Sequence, residues 1–291
     1  MLDYHLHLWP HGTPASQPTL DELAAYCDAA AAEGVGEIAL TEHLFRFRQA
    51  DAALAGFWDD DPNPALRASL AEYWKEHAHA DLDAYVDAVL AAKAAGLPVI
   101  LGLEVDHYAD RMDKVAALLK DYPFDVLLGS VHWVGAWGFD QLGNPVVEAE
   151  WEARSIESVW EAYTRALEEL AASGVCDVLA HPDLAKVSGR RPAVPDEWYD
   201  RMAEAAASSG MAAEVSSAGW RKPAAEAYPA PALLSRFRKA GVPATTASDA
   251  HGLGTFGDVV SQSSQLRTLL ADAGYETLTS FRAREPEQVP V

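Results

Sequence analysis

Residues 2–12 read LDYHLHLWPHG and put three histidines, His5, His7 and His11, within seven positions of a chain that has only ten. In an extended strand residues i and i+2 face the same side, so Leu6 points away while His5 and His7 look the same way. Two imidazoles side by side in a dry interior are poorly satisfied without a shared partner. A divalent cation is the natural one, because imidazole suits zinc, iron and nickel. The stretch reads as a strand ending in a ligand-bearing mouth.

Six further short apolar runs follow: GEIAL (36–40), PVILGLEV (98–105), FDVLLGSVH (124–132), CDVLAH (176–181), MAAEVSS (211–217) and VPATTAS (242–248). They alternate with segments of helical period near 19–33, 66–95, 110–121, 155–173, 196–209, 230–240 and 262–273. Glycine closes several of these, as in AAEGVGEIAL and RKAGVPATT. Seven strand–helix repeats without a glycine-rich phosphate loop predict the α/β class, as a distorted (β/α)7 TIM-like barrel rather than a dinucleotide-binding open sheet. The 291 residues fit one barrel domain spanning 1–291. Residues 44–65, with Pro, Gly and an acid run, read as a long loop over the mouth. YETLTSF (275–281) either closes the array or lies beside it.

The formal charge of −22 repels nucleic-acid phosphates and anionic membranes, and no Lys/Arg run offsets it. Cys27 and Cys176 are too few and too far apart for a disulfide framework or a thiolate zinc site, and read as buried free thiols. The start has no basic-then-apolar leader pattern, and apolar residues never run to membrane-spanning length. A cytoplasmic location is expected.

The side chains at the C-terminal end of each strand are far from random. His5, His7 and His11 follow the first, Glu42 and His43 the second, Glu104 and Asp106 the third, and His132 the fourth. His181 and Asp183 follow the fifth, the sixth offers Glu214, and the seventh ends in Asp249 and His251. Seven of the ten histidines thus gather at the end of a barrel where active sites are built. His5, His7, His11, His43, Glu104, His132, His181, Asp249 and His251 are too many ligands for one ion and suit two or three. Each signal alone has a duller reading: TEH and SDAH could be helix caps, and HxH in a strand is often incidental. No duller reading covers them jointly. His77 and His79 share the HxH spelling but fall in a helical stretch, where i and i+2 diverge, and read as surface residues. His107 reads as peripheral.

With HxH, TEH, GLEVD, SVH, HPD and SDAH in this order, the chain resembles the polymerase and histidinol phosphatase (PHP) family. LDYHLHLWPHG, GLEVDHY, YPFDVLLGSVHW, HPDL, SSAGWRKPAAEAYP and SDAH look most like its monofunctional histidinol-phosphatase branch, and these motifs span residues 2 to about 257. The resemblance implies up to three divalent ions, of Zn, Mn or Fe. It implies His5, His7, Glu104 and Asp249 on one, Glu104, His132 and His181 on a second with Glu104 bridging, and His11, His43 and His251 on a third. Ser216 stands where relatives often have Asn, and TEHLFRF lacks the proline common after that histidine.

The implied activity is hydrolysis of a small phosphomonoester, histidinol phosphate of histidine biosynthesis, by a hydroxide bridging two ions. Asp249 is placed to take its proton, with His251 as the alternative relay. Arg191, Arg221 and Lys222 follow strands five and six and are the expected phosphate-binding cations. Three rivals remain: a phosphoesterase of the same fold acting on nucleotides or oligonucleotides, an amidohydrolase-type C–N hydrolase, and a non-catalytic metal-storing barrel. Amidohydrolase sites commonly carry a lysine after strand four, where this chain has Ser130, Val131 and His132.

Overall fold

The computed structural model describes residues 1–260 and 262–291. Its strands are β1 (Leu2–His7), β2 (Glu37–Leu40), β3 (Val99–Asp106), β4 (Val126–Ser130), β5 (Val178–Leu179), β6 (Ala212–Ser216), β7 (Ala244–Ala247) and β8 (Ala250–His251). All pair in parallel in the order β7-β6-β5-β4-β3-β2-β1-β8. β7 and β8 are halves of one strand broken at Ser248–Asp249. One half pairs with β6 and the other with β1, so the curled sheet closes on itself. Asp249 N–H donates to His5 O and Gly252 N–H to His7 O, both at 2.9 Å, across this seam. The break is made by the backbone of Asp249, which is left-handed at φ 52°. Ser248 N–H turns to the Asp3 carboxylate at 2.9 Å. The fold is the expected distorted seven-stranded α/β barrel.

Among the described residues eleven α-helices accompany the sheet: α1 (Leu20–Ala32), α2 (Arg48–Leu54), α3 (Pro64–His77), α4 (Leu82–Ala94), α5 (Met112–Leu119), α6 (Pro145–Ala153), α7 (Ile156–Ala172), α8 (Asp196–Ser209), α9 (Pro231–Lys239), α10 (Leu253–Val260) and α11 (Ser263–Ala273). Their starts carry the expected chemistry, as in the Thr19–Glu22 capping box of α1 and Asn63 ahead of Pro64 on α3. Strand residues alternate between two apolar regions. Leu101, Leu103, Leu127 and Leu179 pack with helix residues such as Val89, Val115 and Leu167. Ile100, Val126, Leu128 and Val178 form a second region with Leu278 and Phe281.

Two expectations are corrected. Residues 44–65 are not one long loop: Leu44–Arg46 is a 3-10 turn and α2 follows. Leu44, Phe45, Phe47 and Leu54 are fully buried, because LFRF offers more apolar surface than a solvated loop can expose. The helix expected over 66–95 is two, split where Asp81 caps α4 and Arg48 N–H donates to Ala80 O at 2.9 Å. Residues 275–281 take the second of their two expected places, beside the barrel. They supply β9 (Thr277–Arg282), which turns back into β10 (Glu285–Pro290) as an antiparallel hairpin. It is pinned to the barrel by Phe281 N–H donating to Tyr4 Oη at 3.0 Å. Cys27 and Cys176 are free and buried, as expected.

Candidate metal centre

Barrel geometry brings the end of every strand to one mouth, and Glu104 is its centre. This β3 carboxylate is fully buried, and its two oxygens meet different imidazoles. Oε2 lies 2.6 Å from His43 Nδ1, 3.4 Å from His5 Nε2 and 3.5 Å from His7 Nε2. Oε1 lies 3.0 Å from His181 Nε2 and 3.5 Å from His132 Nε2. Asp249 Oδ1 completes the near side, 3.8 Å from His5 Nε2 and 3.6 Å from His7 Nε2.

Buried carboxylates lock the ring orientations. Glu214 Oε2 is 2.7 Å from His5 Nδ1, and Asp106 Oδ1 is 2.7 Å from His132 Nδ1. A neutral ring donating its Nδ1–H there presents a bare Nε2 to the centre. Glu42 works through the backbone, accepting from the N–H groups of Leu8 and Trp9 at 2.5 and 2.9 Å and so fixing the chain after His7. His181 and Asp249 hold left-handed backbones, at φ 29° and 52°. Such strain costs about 1–3 kcal/mol per residue and is retained where side-chain placement demands it.

The donor atoms fit cations. His43 Nδ1 and Glu104 Oε2 sit 2.6 Å apart yet out of hydrogen-bond alignment, and neither has any hydrogen-bond partner. His5 Nε2 and His7 Nε2 face each other at 3.0 Å. His7 Nδ1, His43 Nε2, His181 Nδ1 and His251 Nε2 are also buried without partners. So many orphaned lone pairs in one place are costly unless a positive charge is shared among them. Three-donor groupings close enough for one ion are His5–His7–Asp249, His5–Glu104–His181, His43–Glu104–His132 and His7–His43–His251.

Charge follows the same pattern. Burial works against ionisation of Glu104, but His5, His43 and His132 outweigh it and hold its carboxyl well below the usual range. Asp249 is likewise held far down, against burial, by His5, His7 and His251. Burial alone would strip His5 of its proton, yet Glu214, Glu104 and Asp249 hold its pKa well above the ordinary value. His132 is pushed up to about 10, Glu104 and Asp106 outweighing its burial. His43 and His251 go the other way, well below the ordinary value through burial and the nearby His7. Ionised carboxylates, bare imidazoles and protons waiting on two rings are a set that divalent ions can occupy by displacing protons.

Eight of the nine expected ligands enter these groupings. His11 does not: its ring stacks on His251 at 4.4 Å at the rim, and His7 takes its place beside His43 and His251. The mouth holds about 50 Å³ of free space and is walled by Phe45, Tyr73, Trp133, Tyr228, Asp140 and Lys222 beside the ligands. Of the expected phosphate-binding cations only Lys222 lines it. Arg191 bonds Glu226 Oε2 at 2.8 Å and Ala224 O at 2.6 Å. Arg221 reaches Ser248 O at 2.8 Å and braces the strand break from behind. His77 is not a plain surface residue: it is half-buried, its ring stacked on Tyr73 at 4.1 Å and 6.2 Å from His11. His107 stays peripheral, 3.2 Å from Glu169. In the sequence Glu214 and Asp106 read only as strand-end acids. The missed signal was a carboxylate inside an otherwise apolar run, which must have a buried partner.

Comparison with known proteins gives a consistent result. The PHP domain family matches residues 3–218. A protein of Deinococcus radiodurans, named as a probable histidinol-phosphatase, is 34% identical over 290 residues, covering 98% of both chains. The crystal structure of a histidinol phosphate phosphatase from Lactococcus lactis, complexed with Zn, L-histidinol and phosphate, superposes with a TM-score of 0.69 at 19% identity. That match covers 98% of each chain and bears on the fold. Among the described residues no helix is long and apolar enough to cross a membrane.

Proposed function

The chain belongs to the PHP domain family, and on that premise we propose that it is a metal-dependent phosphomonoester hydrolase acting on L-histidinol phosphate. The observation that carries this reading is Glu104, whose Oε2 faces His5, His7 and His43 while Oε1 faces His132 and His181. One carboxylate serving two sets of bare nitrogens is the arrangement that bridges neighbouring cations.

In this reading His5, His7, Glu104 and Asp249 would hold one ion, and Glu104, His132 and His181 a second. His43 and His251 would hold a third, with His11 at its rim. Divalent zinc, manganese or iron bound there supplies water activation and neutralises charge on the phosphoryl oxygens. The protein's own contribution is placement. Glu214 and Asp106 keep Nε2 of His5 and His132 aimed inward, and Asp249 is held ionised. His251 Nδ1, 3.6 Å from Asp249 Oδ1, is the alternative to Asp249 as the group that takes the proton of the attacking water. Lys222 brings a positive charge to a mouth otherwise lined by acids and rings, as a dianionic ester approaching a −22 protein requires. The Tyr228 hydroxyl, buried without a partner on the same wall, is a second donor for phosphoryl oxygen.

The test is phosphate release from L-histidinol phosphate by the metal-loaded protein, with Glu104→Gln alongside. The variant should lose at least about a hundredfold in kcat/KM, more than a ligand-orienting residue costs, and should hold fewer ions per chain. Full metal content with full activity in the variant would remove the bridging role.

A further inference from the structure

The mouth has a second wall that the metal centre leaves unused. Asp140 lines it near His132, and among the described residues its carboxylate has neither a hydrogen-bond partner nor a cation within ion-pair distance. Acids elsewhere on this chain are commonly paired, as Glu226 is with Lys186 and Arg191. The rings of Phe45, Tyr73 and Trp133 line the same mouth. Phe45 and Trp133 are packed edge to face at 5.5 Å, a rigid corner.

The segment carrying Asp140 is anchored on both sides. Trp151 Nε1–H donates to Phe139 O at 2.9 Å, and the ring of Phe139 is buried against Trp137, 5.9 Å between centroids. Gln141 folds back over Gly138, where an added Cβ would lie 2.7 Å from its amide nitrogen. An unpaired carboxylate held by a fixed backbone and flanked by aromatic faces is complementary to an organic cation, through a charge-assisted hydrogen bond and cation–π contact.

We infer that Asp140, with the Phe45–Tyr73–Trp133 wall, recognises the cationic part of the substrate and selects phosphomonoesters that carry an ammonium or protonated imidazole. This rests on the phosphatase reading above and deepens it: the metals and Lys222 take the phosphoryl end, and Asp140 takes the other. L-Histidinol carries both an amine and an imidazole, so either could be the group held.

Two measurements test it on the zinc-loaded enzyme and its Asp140→Asn variant. The first is calorimetric binding of L-histidinol, which lacks phosphate and so needs no turnover. The dissociation constant should rise by at least about fivefold in the variant, the loss expected when a charged acceptor becomes neutral; a smaller rise overturns the inference. The second is the ratio of kcat/KM for L-histidinol phosphate to that for 4-nitrophenyl phosphate, an ester with no cationic group. The ratio should fall by a similar factor, whereas a partly misfolded variant lowers both values and leaves the ratio unmoved. If the wild type hydrolyses neither ester, the phosphatase reading fails, and L-histidinol binding still decides the role of Asp140.

Discussion

Replacing Glu214 by glutamine isolates what the structure asks of a residue that binds no ion itself. Its Oε2 sits 2.7 Å from His5 Nδ1 with both side chains buried. A hydrogen bond to a charged partner is worth about 1.5–3 kcal/mol against about 0.5–1.5 for a neutral one, a difference near 1–1.5 kcal/mol. That corresponds to about tenfold in metal affinity, and glutamine can also turn its NH2 toward Nδ1 and favour the wrong tautomer. The expected loss therefore lies between about tenfold and a hundredfold, the range known for groups that orient ligands. Competition against a chelator at about pH 8 measures it, with activity recovered at saturating metal. A second reading follows from the sign of the proton effect. In the wild type, carboxylates including Glu214 outweigh burial and keep a proton on His5. Without Glu214 burial gains, the proton leaves more easily, and metal affinity should depend less steeply on pH. Unchanged affinity together with an unchanged pH slope would refute the orienting role.

The same proton argument applies to the whole centre. His5 is raised well above its ordinary pKa and His132 to about 10, so ions bound near neutral pH must expel protons, and affinity should climb with pH up to about 10. Calorimetry in buffers of different ionisation enthalpy reads the release, and a pH-independent affinity between about 6 and 9 would contradict it. Lys222→Ala should raise KM for a phosphomonoester by about tenfold with a smaller effect on kcat, as loss of one charged contact to phosphate implies. An unchanged KM takes Lys222 out of substrate binding. Leu278→Ala, at a fully buried hairpin position, should cost about 2–5 kcal/mol in denaturant unfolding while leaving the number of bound ions unchanged.

The barrel was legible because its strands are short apolar runs between helical segments, and because a strand of period two fixes where His5 and His7 face. The set of ligands was legible for a related reason: strand ends of a barrel converge whatever the intervening sequence. Their grouping was not, since His7 as well as His11 lies beside His43 and His251, and that depends on the path of the chain after Leu8. Glu214 lies 209 residues from His5 and meets it only across the closed ring. Residues 44–65 read as a loop because Pro, Gly and acids toward their far end mask the three apolar positions, Leu44, Phe45 and Phe47, at their start. The break between α3 and α4 carries no Gly or Pro, and a tertiary bond from Arg48 to Ala80 makes it.

The broken seventh strand also sets an order of events during synthesis. Asp3 and Ser248, which meet at the seam, are 245 residues apart, so the ring cannot shut until nearly the whole chain has left the ribosome. Until then the histidines of the first strand wait without the acid that completes their cage. Any loading with ions would thereby be deferred to the finished molecule, and a truncated product missing the broken seventh strand would lack Asp249 and His251.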